Sequence, residues 1–117
     1  MTQSIEDLIA EYRSTAIAWD VMQNDAERAN QQFKRLHVMF RELRLEQAGR
    51  EGITAVMDDG TVDVGVRLVA ASHSLGWAPE RAIAVLERIE TDGPGLYRTT
   101  AKYTLKAFRE GTLNQDW

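Results

Sequence analysis

The chain contains no cysteine, only two prolines and two histidines, and eight glycines in 117 residues. Without cysteine it can form neither a disulfide nor a thiolate metal site, and thiol catalysis is excluded. So few prolines and glycines argue against a low-complexity chain, and an apolar content of 44% is ordinary for a soluble globular protein. These features predict one folded domain over residues 1–117, a length that suffices for a single core.

A long apolar run is also missing. No stretch approaches the ~20 apolar residues that a membrane-spanning helix needs, and the first residues do not carry the basic and apolar segments of a secretion signal. We therefore expect a cytoplasmic protein that does not bind a membrane. The formal net charge of −4 disfavours non-specific binding to nucleic acids, because Lys and Arg supply most of that affinity by neutralising phosphates.

Two amphipathic helices are predicted at the N-terminus. Ser4 is a suitable N-cap, with Asp7 three residues later. The first helix then has apolar residues at steps of three and four, at Ile5, Leu8, Ile9, Tyr12, Ala16, Trp19 and Met22. Asn24 and Asp25 interrupt this pattern and can cap a second helix, whose apolar positions are Ala26, Ala29, Phe33, Leu36, Phe40 and Leu43. The short link between the two helices predicts an antiparallel helical hairpin.

Residues 53–66 allow two interpretations. Apolar segments flank Asp58-Asp59-Gly60, a pattern that resembles a β-hairpin with an Asp-Gly turn. Against this, the alternation fails at Leu68-Val69-Ala70-Ala71, and an isolated two-stranded hairpin is marginal in an otherwise helical chain. We therefore favour a short helix over residues 52–57, a turn, and a further helix capped by Asp63. Small and branched apolar residues on nearly every side of that further helix predict that it is buried on two sides.

The C-terminal third is predicted to contain two more helices. Gly76 is expected to end the preceding helix in the left-handed conformation, and Pro79 suits the first position of the next helix. The apolar positions of that helix are Ala82, Val85, Leu86 and Ile89. Residues 92–95 form the strongest break in the chain, after which a last helix should stop at Gly111 and allow Leu113 to pack back on it.

A short sequence pattern occurs twice in this part of the chain, and we call it the internal echo. Val66-Arg67 and Tyr97-Arg98 are 31 residues apart, and an alanine follows each pair one turn later. Asp63, Val66-Arg67 and Ala70-Ala71, with Leu75-Gly76, resemble the first helix of a HEAT-type repeat. Residues 49–113 resemble one and a half to two such repeats.

Taken whole, the sequence is similar to a small bacterial family known only as a domain of unknown function. The resemblance implies an all-α fold in which the N-terminal hairpin is followed by HEAT-like helix pairs in an armadillo-like superhelix. It implies structural roles for Asp63 and Arg67, which pair between successive units in HEAT repeats, and it brings no activity. The second unit keeps Arg98 but has Pro94 where the aspartate of the pattern would stand.

Few residues could carry chemistry. His73 lies among small apolar residues, and we interpret it as a hydrogen-bonded core histidine; a cryptic enzyme that uses His73 is a less favoured alternative. His37 adjoins an apolar stripe and is interpreted as a boundary residue. The two histidines lack metal-ligand spacing, and Asp58, Asp59 and Asp63 lack the spacing of a calcium loop. Nucleotide-binding and serine-hydrolase motifs are absent, so we expect no catalysis, no metal and no cofactor.

The sequence is therefore interpreted as a non-catalytic protein–protein interaction module of the adaptor or immunity type. Stacked helix pairs expose a concave surface, which here would present six candidate partner-binding residues: Arg50, Trp77, Glu80, Arg81, Glu87 and Arg88.

The alternative is a nucleic-acid-associated HEAT-like module. Its basis is a basic neighbourhood that comprises Lys34, Arg35, Arg41, Arg44 and Arg50. Glu42, Glu46 and Glu51 interleave with these residues and reduce the local positive field. Nucleic acid is accordingly the less favoured partner.

Overall fold

The protein is described by a computed structural model over residues 3–113, which form six α-helices joined by short turns and no β-strand. The helices are α1 Ile5–Val21, α2 Ala26–Leu43, α3 Gln47–Asp58, α4 Val64–Ser74, α5 Pro79–Asp92 and α6 Gly95–Glu110. The all-α prediction is confirmed. Residues 53–66 form a helix, a turn and the start of the next helix, so the β-hairpin alternative is wrong.

The first two helices begin where the sequence predicts. The Ser4 hydroxyl accepts a hydrogen bond from the backbone N–H of Asp7 (3.1 Å), and the Asp25 carboxylate accepts one from the backbone N–H of Arg28 (3.3 Å). Each bond satisfies a backbone donor that the helix itself leaves without a partner. The helices α1 and α2 pack against each other along their apolar stripes.

Helix α4 lies at the centre of the molecule. It packs against α3, α5, α1 and α6, and its buried residues cover every side of the helix: Gly65, Val66, Leu68, Val69, Ala70, Ala71, His73 and Ser74. The prediction that this helix is buried is confirmed. Its small side chains allow four helices to approach one short segment.

Helix α3 is longer than predicted, since it begins at Gln47. The residue before it, Glu46, makes no side-chain capping bond, so its start carries no local signal. Glycines allow its close packing, because a Cβ atom on Gly49 would collide with the Leu43 backbone and one on Gly52 with the Ile9 side chain. Tertiary contact therefore extends this helix.

The prediction for Gly76 is wrong. Helix α4 ends with Leu75 in the right-handed conformation (φ −55°, ψ −29°), and the glycines with positive φ in residues 3–113 are Gly95 and Gly111. The prediction for Gly111 is confirmed, because it caps α6 at φ 74°. Leu113 then packs against the core, as expected.

The two arginines of the internal echo, Arg67 and Arg98, make equivalent contacts. Arg67 Nε donates to the carbonyl oxygen of Met57 (2.9 Å) at the end of α3, and Arg98 Nε donates to that of Glu90 (3.2 Å) at the end of α5. Within residues 3–113, Asp63 forms no ion pair with either arginine. Each arginine therefore ties the start of one helix to the end of the helix before it.

The N-terminal hairpin is joined to α6 across the start of α4. The Tyr97 hydroxyl donates to the Asp20 carboxylate, and a Cβ atom on Gly65 would collide with both groups. Burial, and then the bond to Asp20, raises the pKa of Tyr97 above its usual range, so the phenol remains the donor.

None of the helices in residues 3–113 combines the length and the apolar character that crossing a membrane would require.

Candidate functional site

A polar groove lies between α3 and the start of α5, and we call it the α3–α5 groove. Its volume is about 480 Å³, and it is lined by Gln47, Arg50, Glu51, Thr54, Ala55, Asp58, Trp77, Ala78 and Arg81. The lining combines two arginines, two carboxylates and one indole. Trp and Arg are the side chains most enriched among the residues that dominate binding energy at protein interfaces.

The indole of Trp77 is held in place at one end of this groove. Its Nε1 donates to Thr54 Oγ1 (2.9 Å), and that hydroxyl lies 3.5 Å from Ser74 Oγ on α4. The Phe40 ring packs on the other side, with ring centroids 6.0 Å apart and planes at 29°. The half-buried ring is thus ordered before any partner arrives, which lowers the entropy cost of binding.

The two arginines of the groove are held differently. Arg81 forms an ion pair with Asp58 between α5 and α3, and both side chains are well exposed, at 61% and 38%. Arg50 Nη1 donates to the carbonyl oxygen of Arg44 (2.7 Å), which fixes its guanidinium at the edge of the groove. A guanidinium has five N–H donors, so this one bond leaves donors for a carboxylate.

Three of the six predicted partner-binding residues meet in the groove, namely Arg50, Trp77 and Arg81. Glu80, Glu87 and Arg88 do not line it. Glu80 follows a different face of α5, because adjacent helical residues are about 100° apart.

Glu87 accepts from Arg109 Nη2 of α6 (3.4 Å). Arg88 lies in a separate hollow with Arg67 and Asp92, about 10 Å along α5 from Arg81. The predicted surface is therefore divided, because Arg50, Trp77 and Arg81 share the groove whereas Arg88 lies in the separate hollow.

His73 lies deep in the core and is only 3% exposed. Its Nδ1 is 2.6 Å from the hydroxyl of Tyr12, and the Phe40 ring stacks on it at 4.1 Å. Burial raises the pKa of Tyr12, whereas burial and then the charge of His37 lower the pKa of His73 to about 3. The phenol and a neutral imidazole therefore share one hydrogen bond, which confirms the interpretation of His73 as a hydrogen-bonded core histidine. An imidazole of such low pKa is a poor general base near pH 7.

His37 lies half-buried beside the second helix stripe, where a boundary residue was predicted. Its ring meets Phe33 edge to face with centroids 4.4 Å apart. Burial, and then the charge of Arg41, lower the pKa of His37 to about 4. Both histidines are therefore neutral in the folded protein at neutral pH.

A second concave feature, which we call the aromatic cavity, lies beside His73 and has a volume of about 180 Å³. It is lined by Trp19, Phe33, Phe40, Leu68, Val69, Ser72, His73, Thr100, Thr104 and Leu113. Four helices contribute to this lining. The sequence did not predict it, because each of these residues taken alone reads as an ordinary core or boundary position.

The aspartates of the turn after α3 have structural partners. Asp59 accepts hydrogen bonds from Thr61, from its hydroxyl (2.6 Å) and its backbone N–H (2.8 Å), and pairs with Arg13. The bonds from Thr61, and then the one from Arg13, lower the pKa of Asp59 to about 2. Among residues 3–113, no group of three or more His, Asp or Glu side chains could hold a metal ion.

The basic neighbourhood on α2 makes contacts within the protein. Arg35 lies 3.5 Å from the Glu11 carboxylate, and the Arg44 guanidinium lies 5.2 Å from the centroid of the Phe40 ring. Arg50, the fifth basic residue, belongs to the α3–α5 groove. Three of the five basic residues therefore have contacts or a place in a site within the protein.

Comparisons of the chain with protein-family models, with curated proteins and with solved structures return no match.

Proposed function

We infer that the protein is a non-catalytic module that binds a segment of a protein partner in the α3–α5 groove. The observation that carries this proposal is the meeting of Arg50, Trp77 and Arg81, from three parts of the chain, in one concave site. Together they offer a fixed aromatic surface and two cations. A partner segment with an apolar side chain for Trp77 and a carboxylate for Arg50 fits this chemistry.

The proposal includes a HEAT-like arrangement in which α4 and α6 are the first helices of successive units, and α3 and α5 are the second helices of the units before them. The equivalent bonds of Arg67 and Arg98 support it, because repeated units are expected to repeat their contacts. In such an arrangement successive helix pairs form one continuous binding surface. The groove lies between α3 and α5, the second helices of successive units in this arrangement.

A protein partner is favoured over nucleic acid by the charges of the groove. Glu51 and Asp58 lie among its two arginines, and Asp58 already pairs with Arg81. A phosphate backbone would be repelled by these carboxylates, whereas a polar protein segment can pair with both signs.

The proposal can be tested by site-specific photo-crosslinking in cells. A photoreactive amino acid replaces Ala55, an exposed residue of the groove, or Ala84, an exposed residue of α5 outside it. We expect one defined protein adduct from position 55 and none from position 84. Arg50→Glu with Arg81→Glu should abolish the adduct, whereas the control Arg88→Glu should leave it unchanged.

Circular dichroism of each variant establishes that loss of the adduct is not loss of folding. Equal adducts from both positions, or none from position 55, would contradict the proposal. A nuclease-sensitive adduct that depends on Lys34 and Arg41 would favour the nucleic-acid alternative.

A further inference from the structure

The aromatic cavity is distinct from the α3–α5 groove, and its walls are apolar. Trp19 comes from α1, Phe33 and Phe40 from α2, and His73 from α4, and these four supply its rings. None of the ten lining residues carries a formal charge at neutral pH, since the low pKa of His73 keeps its imidazole neutral. A charged ligand would lose its hydration there without gaining an opposite charge, so the chemistry selects a neutral ligand.

The size of the cavity selects a small ligand. Its volume is about 180 Å³, and an apolar cavity of ~150 Å³ in another protein stays dry and binds benzene. The lining aromatic rings are placed for tilted or stacked contacts, with the Trp19 and Phe33 centroids 6.1 Å apart. Aromatic rings gain additional energy from such contacts, which a saturated ring of equal size does not.

The walls are ordered in advance. The bond between Tyr12 and His73 (2.6 Å) and the Phe40 ring stacked at 4.1 Å fix the imidazole. On the α6 side the cavity is lined by two threonines, the exposed Thr100 and the half-buried Thr104. A threonine carries a hydroxyl, which can donate to or accept from one small polar group on a ligand.

From the volume, the ring lining and the two threonines of α6, we propose that the aromatic cavity binds a neutral aromatic molecule of one or two rings that carries one hydroxyl or N–H group. Phenol and indole represent this class. This proposal does not rest on the proposed partner groove, and the failure of either proposal leaves the other standing.

The test is titration of the full chain with indole and phenol, monitored by calorimetry and by NMR of methyl groups. We expect saturable binding with a Kd below about 1 mM, and shifts at the methyls of Leu68 and Val69 but not at exposed Val38. Cyclohexanol lacks an aromatic ring and benzoate carries a negative charge, so each should bind at least about tenfold more weakly than indole and phenol.

Two variants on α6 provide a matched pair. Thr104→Phe places a ring in the cavity and should weaken indole binding at least about tenfold, whereas Thr99→Phe, at an exposed position outside the cavity, should not. If Thr104→Phe does not fold, the methyl shifts of the unmodified chain decide the result.

Two results would overturn the proposal. The first is no saturable binding of either aromatic probe, and the second is equal binding of cyclohexanol or benzoate.

Discussion

The aromatic cavity and the α3–α5 groove differ in what their side chains do for the fold. The cavity is lined by uncharged residues, several of them in the buried core, such as Leu68 and His73. The groove is lined by exposed charges such as Arg81 and Asp58, which pair with each other in contact with solvent. Buried apolar contacts stabilise a fold strongly and exposed ion pairs do so weakly, so the groove can change its residues for binding at little cost to folding.

The largest expected effect on the free energy of unfolding comes from a substitution in the lining of the aromatic cavity. Leu68→Ala removes a side chain that is 2% exposed and should lower the free energy of unfolding by about 3 kcal/mol, through lost apolar contacts and an enlarged void. Val38→Ala, at a position that is 65% exposed, should change it by less than about 0.5 kcal/mol. Urea denaturation of both variants measures the difference. Similar values for the two would contradict the assignment of Leu68 to the core.

An intermediate effect is expected from pH and His73. Its pKa falls from an ordinary value of 6.5 to about 3 on folding, so between these values the unfolded chain binds a proton that the folded chain does not. The contribution of His73 to the free energy of unfolding is fully present above pH 6.5 and decreases as the pH falls. The decrease between pH 7 and pH 5 is about 2 kcal/mol.

The control is His73→Gln, which cannot take up that proton. Urea midpoints at both pH values should fall more for the original chain than for this variant, even though the variant is the less stable protein at pH 7. Equal pH dependence of the two would show that His73 is not held neutral in the fold.

The smallest effect tests the groove half. Arg81→Ala, Asp58→Ala and the double variant should each change the free energy of unfolding by less than about 1 kcal/mol, because the pair is exposed on both sides. Double-mutant analysis of the urea curves gives the coupling energy of the pair. A coupling energy above about 2 kcal/mol would show that the ion pair of the groove stabilises the fold strongly. The groove and the cavity would then not differ in their contribution to stability.

Much of the fold could be predicted because its signals are local. Ser4 and Asp25 bond backbone groups three residues away, and the apolar stripes of α1 and α2 follow the helical period. Gly111 ends α6 because a left-handed residue at φ 74° favours glycine. In each case the cause lies within a few residues of the effect.

Other features depend on how separate segments pack or on backbone bonds that the side-chain pattern does not indicate, and they could not be predicted. The start of α3 depends on where Gly49 meets Leu43 and Gly52 meets Ile9. Gly76 follows a strong sequence pattern for a left-handed cap, yet the chain turns into α5 through bonds from the backbone N–H groups of Trp77 and Ala78 to the Ser74 carbonyl oxygen.

The candidate sites divide in the same way. A mixed-charge surface on α5 could be predicted from the sequence. Which of its residues share the groove and which lie outside it depends on the helix that each side chain faces. Arg81 turns to Asp58 of α3 and Glu87 to Arg109 of α6. The aromatic cavity needs rings from α1, α2 and α4 to meet, and no spacing within one helix indicates such a meeting.

Phe40 connects the two sites, because it lines the cavity and contacts a residue of the groove. Its ring stacks on His73 in the cavity and packs against Trp77 of the groove. A ligand that displaces this ring also moves the indole, and thermodynamic reciprocity then requires that each occupant change the affinity for the other by the same factor. Fluorotryptophan incorporated at position 77 would report cavity occupancy from the groove, so one resonance could follow both binding events.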